Sequence, residues 1–393
     1  MSRQVTSISP STRPPPKFPF VIVLGALSVL GALGPLAAIE MGQDTFLSQR
    51  FNIAGIGTAA ALSLAFSAVV AVSYGLAQPV RLSLAQLPEI DRSVYVWFGL
   101  VAMSIAFIGQ SPGEIANNIV VLSRKTRGAL EGQSWLYAIL TLAVFQVSFV
   151  AAAAERLKSN KAYYTLAIVA IATAALCFAC GSRARALLAV VIPLLYVGVA
   201  RRASILPMFL MGSLAIPLVY IGDLVRRTAQ GRAANQGGGP ILTLLDAYSL
   251  ADPMAVSMYL SERAPVGALE AIRASFAWFL PSSWVGEKDW VGSITARYYL
   301  YGDTISGITL SSAGEAYYYF GAIGFFIAAA IIGAGLKTIS PRYDGTMISA
   351  ASHAALCMFL FSSLRNGLLI DLLNYVILAG ALGLNIALAR RRG

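Results

Sequence analysis

Charged side chains are scarce in this sequence, at 12% of all residues, whereas ordinary globular domains carry about 25%. Hydrophobic residues make up 57% of the chain and are gathered in long apolar runs. A helix needs about 20 mostly apolar residues to cross a lipid bilayer, and many runs reach that length. This composition excludes a water-soluble fold for most of the chain and predicts an all-α, polytopic integral membrane protein.

Cysteine and histidine are rarer still, with three cysteines and one histidine. The cysteines all lie in apolar runs, so they do not form an extracellular disulfide framework. Cys177 and Cys180 have CxxC spacing, but the second half of a zinc site is missing. His353, near the start of a predicted span, is expected to be packed or at the lipid interface. We expect no metal and no cofactor.

Motifs for nucleotide chemistry are also missing. The sequence has no Walker loop, no GxGxxG before a soluble α/β unit, and no Asp-x-Asp pair for a metal-bound nucleotide sugar. The net charge of +11 would suggest nucleic acid in a soluble protein. In a membrane chain it indicates basic cytoplasmic loops and contact with anionic lipid head groups, so the expected partners include membrane lipids and no nucleic acid.

The apolar runs predict about ten transmembrane helices, at 18–39, 53–77, 94–110, 135–154, 162–180, 186–200, 203–221, 316–336, 349–363 and 368–388. The third and sixth are short enough to be tilted or partly re-entrant. Lys and Arg are more numerous in the loops of one side, which predicts that both termini are cytoplasmic. The chain then divides into a cytoplasmic tail, seven helices, a large periplasmic loop, and three helices with a cytoplasmic C-terminus: 1–17, 18–221, 222–315 and 316–393.

The interval 222–315 breaks the apolar pattern, since it holds half of the 18 acidic residues. A structureless loop of this length is implausible, and the amphipathic stretches 241–261 and 266–280 predict short helices lying against the membrane face. Six aromatic residues lie in its second half: Trp278, Trp284, Trp290, Tyr298, Tyr299 and Tyr301. They are interpreted either as an interfacial aromatic belt or as platforms on which sugar rings stack.

Arginines on the outer side are the first indication of chemistry. Arg183 and Arg185 lie in a very short turn between two spans, where the positive-inside bias disfavours them. Lipid head groups or an acidic neighbour would explain them. The alternative is an anionic ligand, above all a phosphate, which accepts bidentate contacts from guanidinium and is favoured by the helix N-terminus that follows. Three more arginines are predicted on the same side: Arg226, Arg227 and Arg365.

A carboxylate falls where the large loop meets a membrane helix, in the run Gly314-Glu-Ala-Tyr-Tyr-Tyr-Phe-Gly-Ala-Ile-Gly324. Glu315 at that boundary costs free energy unless it is paired or used, although an acidic residue also complements a helix N-terminus. Gly321 and Gly324 are expected to permit close helix approach. Asp371, near the start of the last span, offers Arg365 a structural partner.

In their order along the chain, the Gly-Ser-Arg turn, the large outer loop with its Pro and Lys, and the Gly-Glu-x-Tyr-x-x-Phe-Gly-x-x-Gly run resemble bacterial oligosaccharide repeat-unit polymerases, the Wzy or O-antigen polymerase group. The resemblance covers mainly residues 175–330, on these positions: Gly181, Ser182, Arg183, Pro281, Lys288, Gly314, Glu315, Tyr317, Phe320, Gly321 and Gly324. It implies a bacterial inner-membrane enzyme that acts at the periplasmic face without a metal or nucleotide sugar. Such enzymes move a growing glycan from one undecaprenyl diphosphate carrier to a new carrier-linked repeat unit.

This resemblance assigns expected roles. Arg183 would offset the charge of the diphosphate leaving group, and Glu315 would be the base for the acceptor hydroxyl, with Asp223 and Asp252 as alternatives. The expected substrate contacts are Arg185, Arg226, Arg227, Arg365, Lys288 and Tyr317. The expected partners are an undecaprenyl-diphosphate-linked glycan, a chain-length regulator and a flippase.

Three other functions stay open. O-antigen ligases share the general plan, but as a family they tend to carry a functional histidine in the outer loop, and this loop has none. A carrier or flippase of lipid-linked sugars would need a polar path through the bilayer, and the predicted spans hold few charges. A scaffold in a polysaccharide assembly complex is the third.

Overall fold

The computed structural model describes residues 18–40, 53–80, 90–108, 134–179, 182–202, 249–277, 292–301, 310–369 and 371–390, and every structural statement below refers to those ranges. The regular secondary structure there is helical throughout. The helices are α1 (Phe20–Glu40), α2 (Ile53–Leu76), α3 (Ile90–Ile108), α4 (Ser134–Leu157), α5 (Asn160–Ala179), α6 (Arg183–Ala200), α7 (Ala251–Arg263), α8 (Ala268–Ala277), α9 (Gly292–Tyr301), α10 (Ser311–Thr338), α11 (Met347–Met358), a π-helical turn (Phe359–Ser363), α12 (Leu364–Asn366) and α13 (Leu372–Arg390).

Seven helical stretches in the described ranges are long and apolar enough to cross a membrane, and they lie in α1, α2, α4, α5, α10, α11 to α12, and α13. Their outer faces carry large apolar side chains such as Ile323, which is 80% exposed. Such faces are stable in lipid, where water is absent. The protein is therefore a helical membrane protein, and seven of the ten predicted spans match these helices. The predicted span 203–221 lies outside the described residues, so the total number stays a prediction.

Helices α2 and α10 make a close contact in the bundle. Gly333 lies so near the Val70 carbonyl that a methyl group at this position would overlap it, and the Phe66 and Phe325 rings pack with centroids 5.3 Å apart. Small residues allow membrane helices this approach.

Gly321 and Gly324 do not have the expected role in helix approach. Gly321 has φ +67 and ψ −174 and interrupts α10, and a methyl group built on it would touch nothing within 4 Å. A methyl group on Gly324 would meet Phe320 of the same helix. Gly321 thus divides α10 into a shorter N-terminal segment, which carries Glu315, and a longer C-terminal segment, because its backbone conformation favours glycine.

The bundle has two chemically different ends. At the upper end, α6, α10 and α13 begin close together, as the hydrogen bonds of their first turns show. At the opposite, basic end, α4, α6 and α10 finish, and Arg201 pairs with Glu155 at 3.0 Å. The other basic residues in the turns of that end are Arg156, Lys158, Lys161, Arg202, Lys337 and Arg342. The membrane sidedness predicted from Lys and Arg would place the basic end in the cytoplasm.

His353 anchors a turn at the basic end and is fully buried. Its Nε2 lies 3.0 Å from the Ile192 carbonyl, so Nε2 carries the proton, and Nδ1 accepts the Tyr343 hydroxyl at 2.6 Å. Burial raises the pKa of Tyr343 well above its usual value, which keeps this phenol a hydrogen-bond donor. Of the two expected positions for His353, the packed one is found.

Helix α7 is inserted among the spans instead of lying on the membrane face, contrary to the expectation for 241–261. The Leu250 N–H, at its start, donates to the Gly31 carbonyl in the middle of α1 at 2.7 Å. The Ser63 hydroxyl, in the middle of α2, donates to the Leu250 carbonyl at 3.2 Å. Apart from Asp252, the residues from Ala251 to Val256 are apolar, and Met254 joins the same buried cluster as the spans. Burial of these apolar side chains stabilises the inserted position.

Candidate functional site

Glu315 lies one turn inside α10, because the helix begins at Ser311 and not at the predicted 316. The Ser311 hydroxyl accepts the Gly314 N–H at 3.0 Å, which satisfies one of the N–H groups that have no partner within the first turn of a helix. Glu315 is only 3% exposed, and its Oε2 accepts the Leu369 N–H at 2.8 Å. This charge-assisted bond ties α10 to the turn that precedes α13.

Gly367 makes room for that carboxylate. Its φ of +103 favours glycine, and a methyl group built on it would overlap the carboxyl group of Glu315. On the other side of the turn, the Ser312 hydroxyl donates to the Ser363 carbonyl at 2.5 Å. The first turn of α10 therefore holds the segment 363–369 at two points.

The π-helical turn Phe359–Ser363 directs a hydroxyl at a second carboxylate. Single π-helical turns are frequent at functional sites. The Ser363 hydroxyl donates to Asp371 Oδ2 at 2.9 Å and lies 3.1 Å from the Tyr375 hydroxyl. Asp371 is 4% exposed, and its Oδ1 accepts the Asn374 amide at 2.9 Å. Both oxygens of this buried carboxylate are thus hydrogen-bonded.

Arg185 connects the Gly-Ser-Arg turn to this carboxylate. Its Nε donates to Thr141 Oγ1 at 2.6 Å, and one terminal nitrogen donates to Ser182 Oγ at 3.1 Å. The other terminal nitrogen lies 3.5 Å from Asn374 Oδ1. Burial raises the pKa of Asp371, and the positive charge of Arg185 is one of the influences that oppose this rise. The guanidinium is held by two hydroxyls at the entrance of α6, with Asp371 as its acidic neighbour.

The remaining predicted site residues are spread unevenly. Arg365 is half-buried in α12, between the two points at which α10 holds the turn, and Tyr317 is half-buried beside Phe325. Asp252 is buried in the first turn of α7, and the next residue, Pro253, packs against Gly314 of α10. The side chain of Arg183, the first residue of α6, lies outside the described part of the structure. So do four complete residues: Asp223, Arg226, Arg227 and Lys288.

Exposed aromatic residues occur on α9. Tyr298 and Tyr299 are 45% and 43% exposed, and their rings meet edge to face at 5.7 Å. The tryptophans of the outer loop lie outside the described residues. The interfacial and sugar-stacking interpretations therefore both stay predictions.

Of the residues in this cluster, the sequence singled out Asp371, as a partner for Arg365, but not the groups that hydrogen-bond to Asp371 or to Arg185. Asp371 and Asn374 are three residues apart, so they share one face at the start of α13, and that spacing beside Arg365 was a usable signal. Thr141 and Ser363 are single hydroxyls in apolar runs, and no local pattern distinguishes them. Over the described ranges, no three His, Cys, Asp or Glu side chains are grouped so that they could hold a metal ion.

Comparison of the chain with protein-family models, with curated proteins and with solved structures gave no match. The structure brings together Arg185, which two hydroxyls orient at a helix N-terminus, Arg365 in a turn held by α10, and two buried carboxylates. Guanidinium groups and helix N-termini are both suited to binding anions.

Proposed function

We propose that this protein polymerises oligosaccharide repeat units linked to undecaprenyl diphosphate, at the periplasmic face of a bacterial inner membrane. The observation that carries the proposal is the meeting of three segments at the upper end of the bundle: 182–185, 311–315 and 363–374. The first two contain the sequence motifs that resemble the polymerases. The third contributes Arg365 and Asp371.

The chemistry of the transfer suits these residues. The bond between the donor sugar and the diphosphate breaks, and the acceptor oxygen forms the new glycosidic bond. The proton of the acceptor hydroxyl passes to a general base, for which the sequence offers Glu315, Asp223 and Asp252. Negative charge develops on the leaving diphosphate, and oriented arginines stabilise such charge in a partly buried site. Arg185 is oriented by Thr141 and Ser182, and Arg183 precedes it at the helix N-terminus, whose free N–H groups favour anions.

The position of the cluster supports an outer-face reaction. It lies at the end opposite the basic end, and basic turns favour the cytoplasm. Beside it, Phe320 and Ile323 of α10 are exposed, which offers an apolar surface for the polyprenyl tail of a carrier that enters laterally from the membrane.

Deletion of the gene tests this function through the species that accumulates. A deletion strain of the source bacterium should lose polymer and accumulate single repeat units on the carrier, and these units should be open to periodate in spheroplasts. Complementation with the wild-type chain should restore the polymer ladder. The exposed Arg342→Ala variant, at the basic end, should restore it equally well. Polymer that persists on the carrier in the deletion strain would indicate a ligase and refute the proposal.

A carrier of lipid-linked sugars is the second candidate, and the position of Asp252 favours it. This residue is 6% exposed in a helix that begins at the middle of α1 and α2, and ionisable residues at such depth commonly serve transport paths. Deletion of a carrier would leave the single repeat units on the inner leaflet, protected from periodate in spheroplasts.

A further inference from the structure

We propose that Glu315 is a positioning residue that fixes the turn 367–369, and not the base that accepts the proton of the acceptor hydroxyl. The inference rests on the proposed function, because it assigns a role within that reaction. It revises the role expected from the sequence on the basis of what the carboxylate touches.

The first observation is that the carboxylate is enclosed. A general base must come within hydrogen-bond reach of the substrate hydroxyl. Glu315 is 3% exposed, and its Oε2 is used by the Leu369 N–H at 2.8 Å. The carboxyl group also fills the space in which a side chain at Gly367 would lie. The turn thus covers part of the carboxylate, and the group as a whole is closed to a molecule of substrate size.

The second observation is what the turn carries. Arg365 lies between the two contacts that α10 makes, at the Ser363 carbonyl and at Leu369. Asp371 lies two residues after this turn. Its carboxylate accepts a hydrogen bond from the Asn374 amide, and the oxygen of that amide faces the guanidinium of Arg185. Fixing this turn therefore sets the position of Arg365 and of the carboxylate that neighbours Arg185.

Glu315→Gln separates the two roles. Glutamine keeps an oxygen that accepts the Leu369 N–H but has no basicity. Loss of a general base lowers turnover by about 10²–10⁴-fold. Loss of only the charge assistance of one hydrogen bond should lower it by less than about tenfold. We expect the Gln variant to make polymer with the pH dependence of the wild type, and Glu315→Ala to lose turnover severely. We also expect the KM of Glu315→Gln to stay close to that of the wild type.

Gly367→Ala approaches the same contact from the other side. Its methyl group would overlap the Glu315 carboxyl group and strain a residue at φ +103, so turnover should fall about as far as in Glu315→Ala. Because both changes remove one contact, the double variant should be little worse than either single variant. Gly335→Ala is the control, since a methyl group there meets nothing within 4 Å.

Hydrogen exchange supplies a readout that does not depend on activity. In the full-length protein, the peptide containing Leu369 should keep its protection in Glu315→Gln and lose it in Glu315→Ala. A Gln variant that loses at least 100-fold in turnover, with this protection intact, would establish a base and overturn the proposal. If the Gln variant is not inserted in the membrane, undiminished turnover in Gly367→Ala overturns it instead. A wild-type chain without polymerase activity would refute the proposed function, while the exchange data would still test the contact.

Discussion

Replacing Arg185 by alanine should destabilise the protein and abolish polymer formation for two separable reasons. The change removes three hydrogen-bond donors, to Thr141, Ser182 and Asn374, each worth about 0.5–1.5 kcal/mol net. It also removes the positive charge beside Asp371, which stays buried at 4% exposure. Since Arg185 is partly exposed, solvent screens part of that loss, and we expect a total destabilisation of about 2–4 kcal/mol.

Asp371→Asn should reverse part of this damage. In the Arg185→Ala background, asparagine removes the buried charge and can still accept the Ser363 hydroxyl. The double variant should therefore unfold at a higher temperature than Arg185→Ala alone, by roughly 2–5 °C. Its activity should not return, because an arginine that stabilises the leaving diphosphate is still missing, and such a loss lowers turnover about 10²–10³-fold.

The assay is thermal unfolding of purified protein in detergent, monitored by size-exclusion chromatography. The polymer ladder is measured for the same variants in cells. Arg342→Ala is the matched control, since it removes an exposed arginine from the basic end. An Arg185→Ala protein with wild-type stability would show that the three contacts contribute nothing. A polymer ladder of full length from that variant would refute the role of the guanidinium in the reaction.

Three further predictions concern other parts of the molecule. Arg183→Ala should make no polymer at normal membrane abundance, and Arg183→Lys should be partly active because it keeps the charge but loses the guanidinium fork. Gels of the polymer and immunoblots of the membrane protein compare the two variants. Full-length polymer from the alanine variant would refute the diphosphate contact. Cysteine at Arg273 should react with an impermeant maleimide in intact spheroplasts, and cysteine at Arg342 should not; the reverse labelling would invert the topology. Gly333→Leu should lower the free energy of unfolding by about 1–3 kcal/mol through overlap with α2. Gly335→Leu, whose side chain would enter open space, should leave the free energy of unfolding unchanged within error.

The spans were predictable because hydropathy depends only on local composition. The run 53–77 corresponds to α2, Ile53–Leu76. The start of α10 was not predictable, since Ser311 to Gly314 are small residues typical of a loop. The hydrogen bonds of Ser311 with the Gly314 N–H and of Ser312 with the Ser363 carbonyl hold this first turn. The depth of α7 was not predictable either. An amphipathic pattern is the same for a helix on the membrane face and for one inserted between two spans, and contacts with α1 and α2 decide the difference.

The candidate site was predictable in its residue types but not in its partnerships. Arg185 stood out because basic residues are disfavoured in outer turns, yet nothing local connects it with Asn374, 189 residues away. Glu315 stood out as a carboxylate at a membrane boundary, but its partner Leu369 is 54 residues away and contributes only a backbone N–H. A backbone donor has no side-chain signature, so sequence reasoning finds the carboxylate and misses what it holds.

The break in α10 at Gly321 restricts the chirality of the residue at this position and not the size of its side chain. There is ample room for a larger side chain, since a methyl group would touch nothing within 4 Å, but φ +67 with ψ −174 is open to almost no L-residue. The mirror image of that conformation is an ordinary extended one, so a D-alanine introduced by chemical synthesis would fit where the natural L-alanine would not. The direction in which the N-terminal segment of α10, with Glu315, continues from the rest of the helix is therefore decided by the stereochemistry of a single backbone unit.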